Sequence, residues 1–358
     1  MQLLPVRLGR KLDIKPDTIL VYVGEGLIGD AFLRLPFAAA LRNAFPDAVI
    51  TWAFRTKGSV AGRRIAPLLG QFCDEFIFDL AVGDGLGEVL NPRPLQAQSW
   101  DLVIDTQRVV PRAALVSRIP HRRFVSVAGR YVLSDVKPLY RLGRPVTVRH
   151  HGRQLLSLLG LIETGSLDDS PPFVPAPIRV PDEATAWAAG LMRNQVRPIM
   201  IAPGAGGRQK CWPLEQVAEL ARSLTDADQA VAILLGPEEG EWRTQLGTAA
   251  PRAMFSLDAM PPEIARTEPY ATMALAQHAA VTVAMDSGIG HMLASTSPRH
   301  VTLYGPTRAG GYDPAARDLR IVKSQDFGGN EMRQIPVAAV RDAILNAVAS
   351  GRELASAA

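Results

Sequence analysis

The segment Thr18–Val23 (TILVYV) is followed by Gly24-Glu25-Gly26-Leu27-Ile28-Gly29 and then by residues 30–44, in which apolar residues recur at helical spacing. An uninterrupted apolar run of this length is typical of a buried strand, and glycine allows the sharp turn that leaves it. The segment therefore predicts a strand, a glycine-rich turn and an amphipathic helix, which together form the repeating unit of a parallel α/β fold.

The same alternation continues along the chain and is interrupted once. Further strands are predicted at residues 48–54, 102–105, 198–202, 230–235, 280–284 and 300–304, and helices at residues 213–224 and 336–348. Residues 170–181 (SPPFVPAPIRVP) contain five prolines, which cannot donate to a strand ladder and so indicate a stiff linker. We expect an α/β protein of two doubly wound domains facing a central cleft, residues 1–172 and 173–330. A final helix within residues 331–358 is expected to pack toward the first domain.

Length and composition agree with this organisation. The chain has 358 residues, 47% hydrophobic and 21% charged, which is ample for two globular domains. Its two cysteines, Cys73 and Cys211, cannot build a disulfide framework or a zinc cluster, which favours a reducing compartment. The sequence shows neither a signal-peptide pattern nor an apolar run of about 18 residues, so we expect a cytoplasmic protein.

The first glycine-rich turn fits the pattern G-x-G-x-x-G, which can bind the pyrophosphate of a dinucleotide. Such a site also requires an acid after the second strand to bind ribose hydroxyls, and here that strand ends Ala53-Phe54-Arg55. Because Arg55 suits NADP, an NAD(P)-dependent oxidoreductase that uses residues 24–29 is an alternative. Asp30, which follows the last glycine, is either a helix N-cap or a general base that faces the cleft.

Three segments of the second half each end a predicted strand and lead into a turn or helix. They are residues 203–213 (PGAGGRQKCWP), 234–239 (LLGPEE) and 284–291 (AMDSGIGH). Glycine amides and Lys210 in the first segment can approach an anion, and the third begins a helix whose dipole favours phosphate. Glu238 and Glu239 of the second segment can accept hydrogen bonds from ribose hydroxyls. The carboxyl ends of parallel strands share one sheet edge, so the three segments together predict a nucleotide-diphosphate site.

Motifs from five parts of the chain form an ordered set. They are G-D-x-x-x-x-x-P at residues 29–36, P-G-A-x-x-x-x-K-x-W-P at 203–213, L-G-P-E-E at 235–239, D-S-G-x-x-H at 286–291 and L-Y-G-P-T at 303–307. In order and spacing, over residues 18–345, this set resembles glycosyltransferase family 9, the lipopolysaccharide heptosyltransferase family. The resemblance implies a GT-B fold of two Rossmann-like domains and glycosyl transfer with inversion. It also implies that the C-terminal domain holds the donor and the N-terminal domain the acceptor.

The resemblance assigns roles by motif match. Asp30 is the catalytic base, Lys210 binds the diphosphate, and one of Glu238 and Glu239 binds the ribose. Other donor-site residues implied by the match are Gly29, Gly204, Ala205, Gly206, Asp286, Ser287, Gly288, His291 and Thr307. For His291, packing within its helix is the alternative. The implied donor is a nucleotide-diphosphate sugar, by default ADP-heptose, with no cofactor and no metal required.

Two positions depart from the family pattern. Gly24 stands where the family usually has a basic residue, and residues 205–207 are Ala-Gly-Gly where hydroxyl side chains are frequent. Both changes remove polar contacts near the expected phosphates. A catalytically inactive glycan- or nucleotide-binding protein of the same fold is therefore a further alternative.

Basic residues are concentrated in the first half. Residues 106–153 contain a single acid, Asp135, and the following basic residues: Arg108, Arg112, Arg118, Arg122, Arg123, Arg130, Lys137, Arg141, Arg144, Arg149 and Arg153. This imbalance favours an anionic partner over a merely solvated surface. In the acceptor-binding half it predicts an anionic glycolipid or glycan, such as lipopolysaccharide core, met at the inner membrane surface by a peripheral protein. Nucleic acid is not expected, because no helix-turn-helix, zinc-finger or RNA-binding pattern is present.

Overall fold

The chain forms two compact units, Met1–Phe173 and Val174–Ala358. The computed structural model describes residues 11–24, 28–55, 60–80, 82, 85–91, 94–138, 148–193 and 197–356. The division between the units falls inside the proline-rich stretch at residues 170–181, of which residues 171–181 belong to no helix or strand. This is the segment in which the sequence predicts a linker.

The first unit contains, in its described residues, a parallel sheet of five strands. The strands are β1 (Thr18–Val23), β2 (Val49–Phe54), β3 (Glu75–Ile77), β4 (Trp100–Asp105) and β5 (His121–Ser126). The helices are α1 (Ile28–Ala44), α2 (Val60–Leu69), α3 (Val110–Val116) and α4 (His151–Thr164). Strand order is β3-β2-β1-β4-β5, so β1 lies between β2 and β4. The sheet therefore has its topological switch point between β1 and β4, where ligands of such sheets bind beyond the carboxyl ends.

Helices α1 and α4 of this unit pack closely against each other. A Cβ atom at Gly152 would lie 2.9 Å from the backbone oxygen of Leu33, so glycine is required for the two helices to approach this closely. Helix α4 then ends at Gly165, whose φ of 82° is the left-handed conformation that favours glycine at a helix end. Strand β1 is buried throughout residues 19–23, as its uninterrupted apolar run predicts.

The second unit repeats this architecture with six described strands. They are β6 (Ile199–Ala202), β7 (Val231–Ile233), β8 (Met254–Phe255), β9 (Val281–Met285), β10 (His300–Tyr304) and β11 (Leu319–Lys323). The helices are α5 (Asp182–Met192), α6 (Leu214–Asp226), α7 (Trp242–Ala249), α8 (Pro262–Ala265), α9 (Tyr270–Gln277), α10 (Gly288–Thr296) and α11 (Val337–Ser356). The parallel order β11-β10-β9-β6-β7-β8 places the switch point between β6 and β9.

The last helix, α11, packs on α6, β9 and β11 of the second unit. Val340 and Ile344 are fully buried on this face. Trp212, also buried, donates its indole N–H to the backbone oxygen of Ile335 at 3.2 Å, just before α11. These contacts make the helix an integral part of the second unit's core, and packing toward the first domain stays a prediction. No helix in the described parts of the chain has the length and apolarity needed to cross a membrane.

Candidate functional site

An ion pair spans the switch point of the second sheet. After β6 the chain passes through Pro203 and Gly204 into a short 3-10 turn, Arg208–Lys210. On the neighbouring strand, Asp286 follows the last residue of β9. The Nζ atom of Lys210 lies 2.7 Å from Oδ2 of Asp286. Lys210 and Asp286, which belong to two separate sequence motifs and are 76 positions apart, thus meet at the edge where parallel sheets bind ligands.

The structure distinguishes the two candidate acids after β7. Both belong to the 3-10 turn Pro237–Glu239, but the Glu238 side chain is exposed whereas Glu239 is half-buried. The Glu239 carboxylate lies against Gly204 and Gly236, and a Cβ atom at Gly236 would be 2.8 Å from its Oε2 atom. Burial, and next the nearby Glu238, raise the pKa of Glu239. Of the two acids, Glu239 is therefore the one that shares a surface with the glycine-rich turn after β6.

Helix α10 begins beside this pair. Ser287 is its N-cap, and the Ser287 hydroxyl accepts a hydrogen bond from the Gly290 amide at 3.2 Å. A Cβ atom at Gly290 would lie only 2.6 Å from the backbone oxygen of Met285, so glycine lets the helix start close to the end of β9. The amides of Gly288 and the next residue have no acceptor within the helix by position, which makes them available to an anion.

The remaining candidates of the donor site occupy varied environments. His291 is buried one turn into α10. Ala205 and Thr307 are half-buried, and Gly206 is exposed with open space where a side chain would be. Among the described residues, no group of three or more His, Cys, Asp or Glu side chains is placed to share a metal ion.

The loop after β10 adds a contact that the sequence did not predict, between Tyr304 of the L-Y-G-P-T motif and Asp313. The buried Tyr304 hydroxyl donates to Oδ1 of Asp313 at 2.9 Å, and the Gly310 amide donates to the same oxygen at 2.8 Å. Burial raises the pKa of Tyr304, and the carboxylates of Asp313 and Asp286 raise it further. Tyr304 and Asp313 therefore fix the loop next to the Lys210–Asp286 pair. The motif at residues 303–307 contains Tyr304, but nothing in the sequence indicates Asp313 as its partner.

The switch point of the first sheet has a different character. Asp105, the last residue of β4, is fully buried; its carboxylate accepts hydrogen bonds from the Ser126 hydroxyl at 2.8 Å and the Gln107 amide at 3.1 Å. Burial raises the pKa of Asp105 to about 6 against the lowering effect of these hydrogen bonds. The side chain of Gln107 lies over Gly24, where a Cβ atom would be 2.8 Å from its Oε1 atom. Sequence reasoning missed both residues as site candidates, although an acid that ends a buried strand was visible.

Asp30 lies in the first turn of α1, which begins at Ile28, and is half-buried. It is therefore the third helical residue and not the residue that precedes the helix, and the helix dipole stabilises a carboxylate there. Gly29 is the second residue of the same turn. The other glycine-turn residues, 25–27, lie outside the described part of the chain.

Some of the basic residues of the first unit form ion pairs or hydrogen bonds within that unit. Arg122 pairs with Asp101 at 3.0 Å, Arg123 pairs with Asp13, and Arg118 donates to the backbone oxygens of Glu88 and Asn91. Arg141 and Arg144 lie outside the described residues. Among the described residues, the charges of Arg122 and Arg123 are thus offset by acids that lie outside residues 106–153.

Three other basic side chains converge near the start of α4. His151 is buried, and burial, followed by the charges of Arg34 and Arg108, lowers its pKa to about 3. Arg108 also donates to the backbone oxygen of Arg149 at 3.2 Å. Since Arg34 stands on α1 one turn after Asp30, the two cationic side chains of Arg34 and Arg108 lie on the same helix and sheet edge as the candidate base.

A family model described as Glycosyltransferase family 9 (heptosyltransferase) matches residues 92–335, which is more than half of the chain. The chain belongs to glycosyltransferase family 9. Membership makes it a glycosyltransferase of heptosyltransferase type and sets aside the NAD(P)-dependent oxidoreductase that the first glycine turn allowed.

Similar proteins agree with this assignment. Lipopolysaccharide heptosyltransferase 1 of Escherichia coli O18:K1:H7 is 24% identical over 256 residues, 70% of this chain and 72% of the relative. A family 9 glycosyltransferase from Veillonella parvula superposes with a TM-score of 0.67 at 19% identity, covering 96% of this chain and 99% of that structure. E. coli ADP-heptose lipopolysaccharide heptosyltransferase II superposes with a TM-score of 0.66 at 18% identity, covering 94% and 99%. The fold is therefore GT-B, with two Rossmann-like domains.

Proposed function

We propose that this family 9 enzyme transfers a sugar of the heptose class from an ADP-sugar donor to an anionic glycolipid or glycan such as lipopolysaccharide core. The observation that carries the proposal is the Lys210–Asp286 pair at the switch point of the second sheet. The pair lies between a glycine-rich turn and a helix N-terminus, which are two phosphate-binding devices. Two similar structures have names that include such ligands. One is E. coli ADP-heptose lipopolysaccharide heptosyltransferase II, and the other is an E. coli heptosyltransferase solved with ADP.

On the donor side, we assign the diphosphate to Lys210, the amides of the turn after β6, and the first amides of α10. Asp286 orients the ammonium group of Lys210 through their 2.7 Å contact. We assign the ribose hydroxyls to Glu239, because its carboxylate lies on Gly204 whereas Glu238 is exposed. Gly29, Ala205, Gly206, Ser287, Gly288, His291 and Thr307 complete the proposed site.

On the acceptor side, we assign the general base to Asp30. The carboxylate takes the proton from an acceptor hydroxyl while that oxygen bonds to the anomeric carbon of the donor. The bond between this carbon and the diphosphate oxygen breaks on the opposite face, which inverts the configuration. The electron pair remains on the diphosphate, where Lys210 and the helix amides stabilise the charge without a metal. Arg34 and Arg108, whose charges both act on the buried His151, bind an acidic group of the acceptor.

Binding and turnover test the two sides separately. Isothermal titration with ADP, UDP, GDP and NADP should show selective binding of one nucleoside diphosphate, expected to be ADP. Lys210→Gln should weaken that binding at least tenfold, because a charge-assisted contact to phosphate is lost. Lys323→Gln is the matched control, since Lys323 also pairs with an acid (Asp326, 3.3 Å) but ends the edge strand β11.

Asp30→Asn should keep donor affinity and lose transfer by about 10²–10⁴-fold, the usual contribution of a positioned base. The readout is release of ADP from ADP-heptose in the presence of a lipopolysaccharide-core acceptor, with and without EDTA. Full turnover by Asp30→Asn would refute the base assignment. Equal ADP affinity in the Lys210→Gln and Lys323→Gln proteins would refute the donor site.

A further inference from the structure

Three exposed valines of the first unit lie next to one another. Val109 and Val110, where β4 leads into α3, are 47% and 37% exposed, and Val132, beyond β5, is 55% exposed. A Cβ atom at Gly129 would lie 2.6 Å from Cγ2 of Val110 and 2.8 Å from Cγ1 of Val132. Gly129 therefore allows side chains from two different loops to form one apolar surface. We call these three residues the valine patch.

The loop that presents Val132 has an unusual backbone. Gly129, Arg130 and Tyr131 have φ angles of 57°, 58° and 67°, which is the left-handed region that side chains other than glycine disfavour. Through this turn Tyr131 is buried while Arg130 and Val132 are exposed. Unfavourable backbone conformations persist where the surrounding structure enforces them, and they cluster at functional surfaces. Here the enforced conformation displays an apolar and a basic side chain side by side.

Basic residues surround the valine patch. Arg108 precedes it and Arg130 precedes Tyr131 and Val132; both side chains are exposed. The exposed Lys137 donates to the backbone oxygen of Val132 at 3.4 Å. Asp135, the one acid in residues 106–153, has a carboxylate oxygen that accepts from the Phe124 amide at 2.7 Å. An apolar surface with a basic rim is the composition that binds anionic lipid, because acyl chains accept the valines and headgroups accept the cations.

The position of the patch agrees with that chemistry. Val109, Val110 and Val132 lie beyond the carboxyl ends of β4 and β5, the same sheet edge from which α1 and Asp30 begin. We infer that the valine patch with Arg108, Arg130 and Lys137 is the surface by which this enzyme docks on an anionic lipid bilayer. The inference deepens the proposed function, on which it rests for the lipid character of the acceptor. Docking through this edge turns the proposed acceptor site toward the membrane.

Co-sedimentation with vesicles tests the docking surface directly. The protein should bind vesicles of phosphatidylglycerol and phosphatidylcholine at about 0.1 M salt, where the Debye length is about 10 Å, and should bind vesicles of pure phosphatidylcholine far less. The Val109→Ser/Val132→Ser double variant should bind about tenfold more weakly because apolar burial is lost. Arg130→Gln/Lys137→Gln should bind roughly 25-fold more weakly, since each basic residue contributes about fivefold, and the salt dependence should shrink.

Matched controls come from the opposite edge of the same sheet. Val49, the first residue of β2, is 42% exposed, and the Lys15 side chain, ahead of β1, is 75% exposed. Val49→Ser/Lys15→Gln should bind vesicles as the unsubstituted protein does. Circular dichroism must show that every variant is folded.

Transfer assays separate this inference from the proposed function. The Val109→Ser/Val132→Ser variant should keep its turnover of a soluble, deacylated acceptor and lose turnover of the same acceptor embedded in vesicles. Absence of vesicle binding, or equal binding by patch and control variants, would overturn the docking surface even in an active enzyme. If the Val109→Ser/Val132→Ser variant lost self-association but kept vesicle binding, the docking surface would also be overturned, since the valine patch would then be a protein interface. Absence of transfer from any nucleotide sugar would refute the proposed function and leave the vesicle result valid.

Discussion

The substitution Gly290→Ala tests whether the start of α10 depends on its close approach to β9. The new Cβ atom would lie 2.6 Å from the backbone oxygen of Met285. A carbon and a carbonyl oxygen in contact are normally about 3.3 Å apart or more, so the helix start must move by roughly 0.7 Å. Because the obstacle is backbone and not the end of a flexible side chain, the cost cannot be removed by a rotamer change.

The expected loss of stability follows from two opposing effects. Overpacking of this kind costs about 1–3 kcal/mol, whereas replacing a helical glycine by alanine contributes about 0.8–1.0 kcal/mol of helix propensity. The net destabilisation should therefore be at most roughly 2 kcal/mol, which in a unit of this size lowers the midpoint of thermal unfolding by at most about 8 °C. The displaced amides should also weaken ADP binding at least tenfold.

Gly190 provides the matched control. It lies in α5 of the same unit, and a Cβ atom there would have no neighbour within 4 Å. Gly190→Ala should therefore raise the stability of the second unit by roughly 0.5–1 kcal/mol and leave ADP affinity unchanged. Thermal unfolding followed by circular dichroism, with and without ADP, measures both effects. If Gly290→Ala proved as stable as Gly190→Ala, or bound ADP with unchanged affinity, the close approach of α10 to β9 would not be required. The assignment of the α10 amides to the donor diphosphate would then be refuted.

Three further predictions concern the strand ends. Gly24→Ala should lower stability by less than about 1 kcal/mol, and Gln107→Ala should restore it in the double variant, because only a flexible side chain obstructs the new Cβ atom. Burial raises the pKa of Asp105 to about 6, so its stabilising protonated form is lost as pH rises from about 4 through 6. In urea titrations the free energy of unfolding of Asp105→Asn should exceed that of the unsubstituted protein by roughly 1–3 kcal/mol at pH 8, and the two should be equal near pH 4. Glu239→Gln should weaken ADP binding about tenfold, measured calorimetrically, while Glu238→Gln changes it less than about twofold.

Two strands that are buried along nearly their whole length could be predicted from the sequence with accurate bounds. Thr18–Val23 and His300–Tyr304 were expected over the same residues that form β1 and β10, because both strands are paired on each side and covered on both faces. The strands that sequence reasoning missed are β3, β5, β8 and β11. Three are short or partly exposed, and β5 begins His-Arg-Arg. Such strands form because a neighbouring strand offers hydrogen bonds, which no local pattern reveals.

The candidate site, like the fold, has a part that the sequence could predict and a part that depends on packing. Motif matches could nominate Lys210, Asp286 and the two acids after β7 one by one, but proximity across 76 residues and the choice of Glu239 depend on packing. Asp105 and Gln107 belong to no motif that the sequence analysis used. Their importance arises from the burial of the Asp105 carboxylate and from the packing of the Gln107 side chain over Gly24, which are properties of the folded sheet.

The first glycine-rich turn shows why spacing alone misleads. A dinucleotide pyrophosphate needs open space at the glycines and positive potential at the helix start. Here the Gln107 side chain fills the space over Gly24, the Asp105 carboxylate is buried below it, and Asp30 adds an acid in the first turn of α1. At the corresponding end of the second sheet the turn carries Lys210, and the first turn of α10 carries no acid. The side chains at the strand ends, more than the glycine pattern, thus favour a proton-accepting site in the first unit and an anion site in the second.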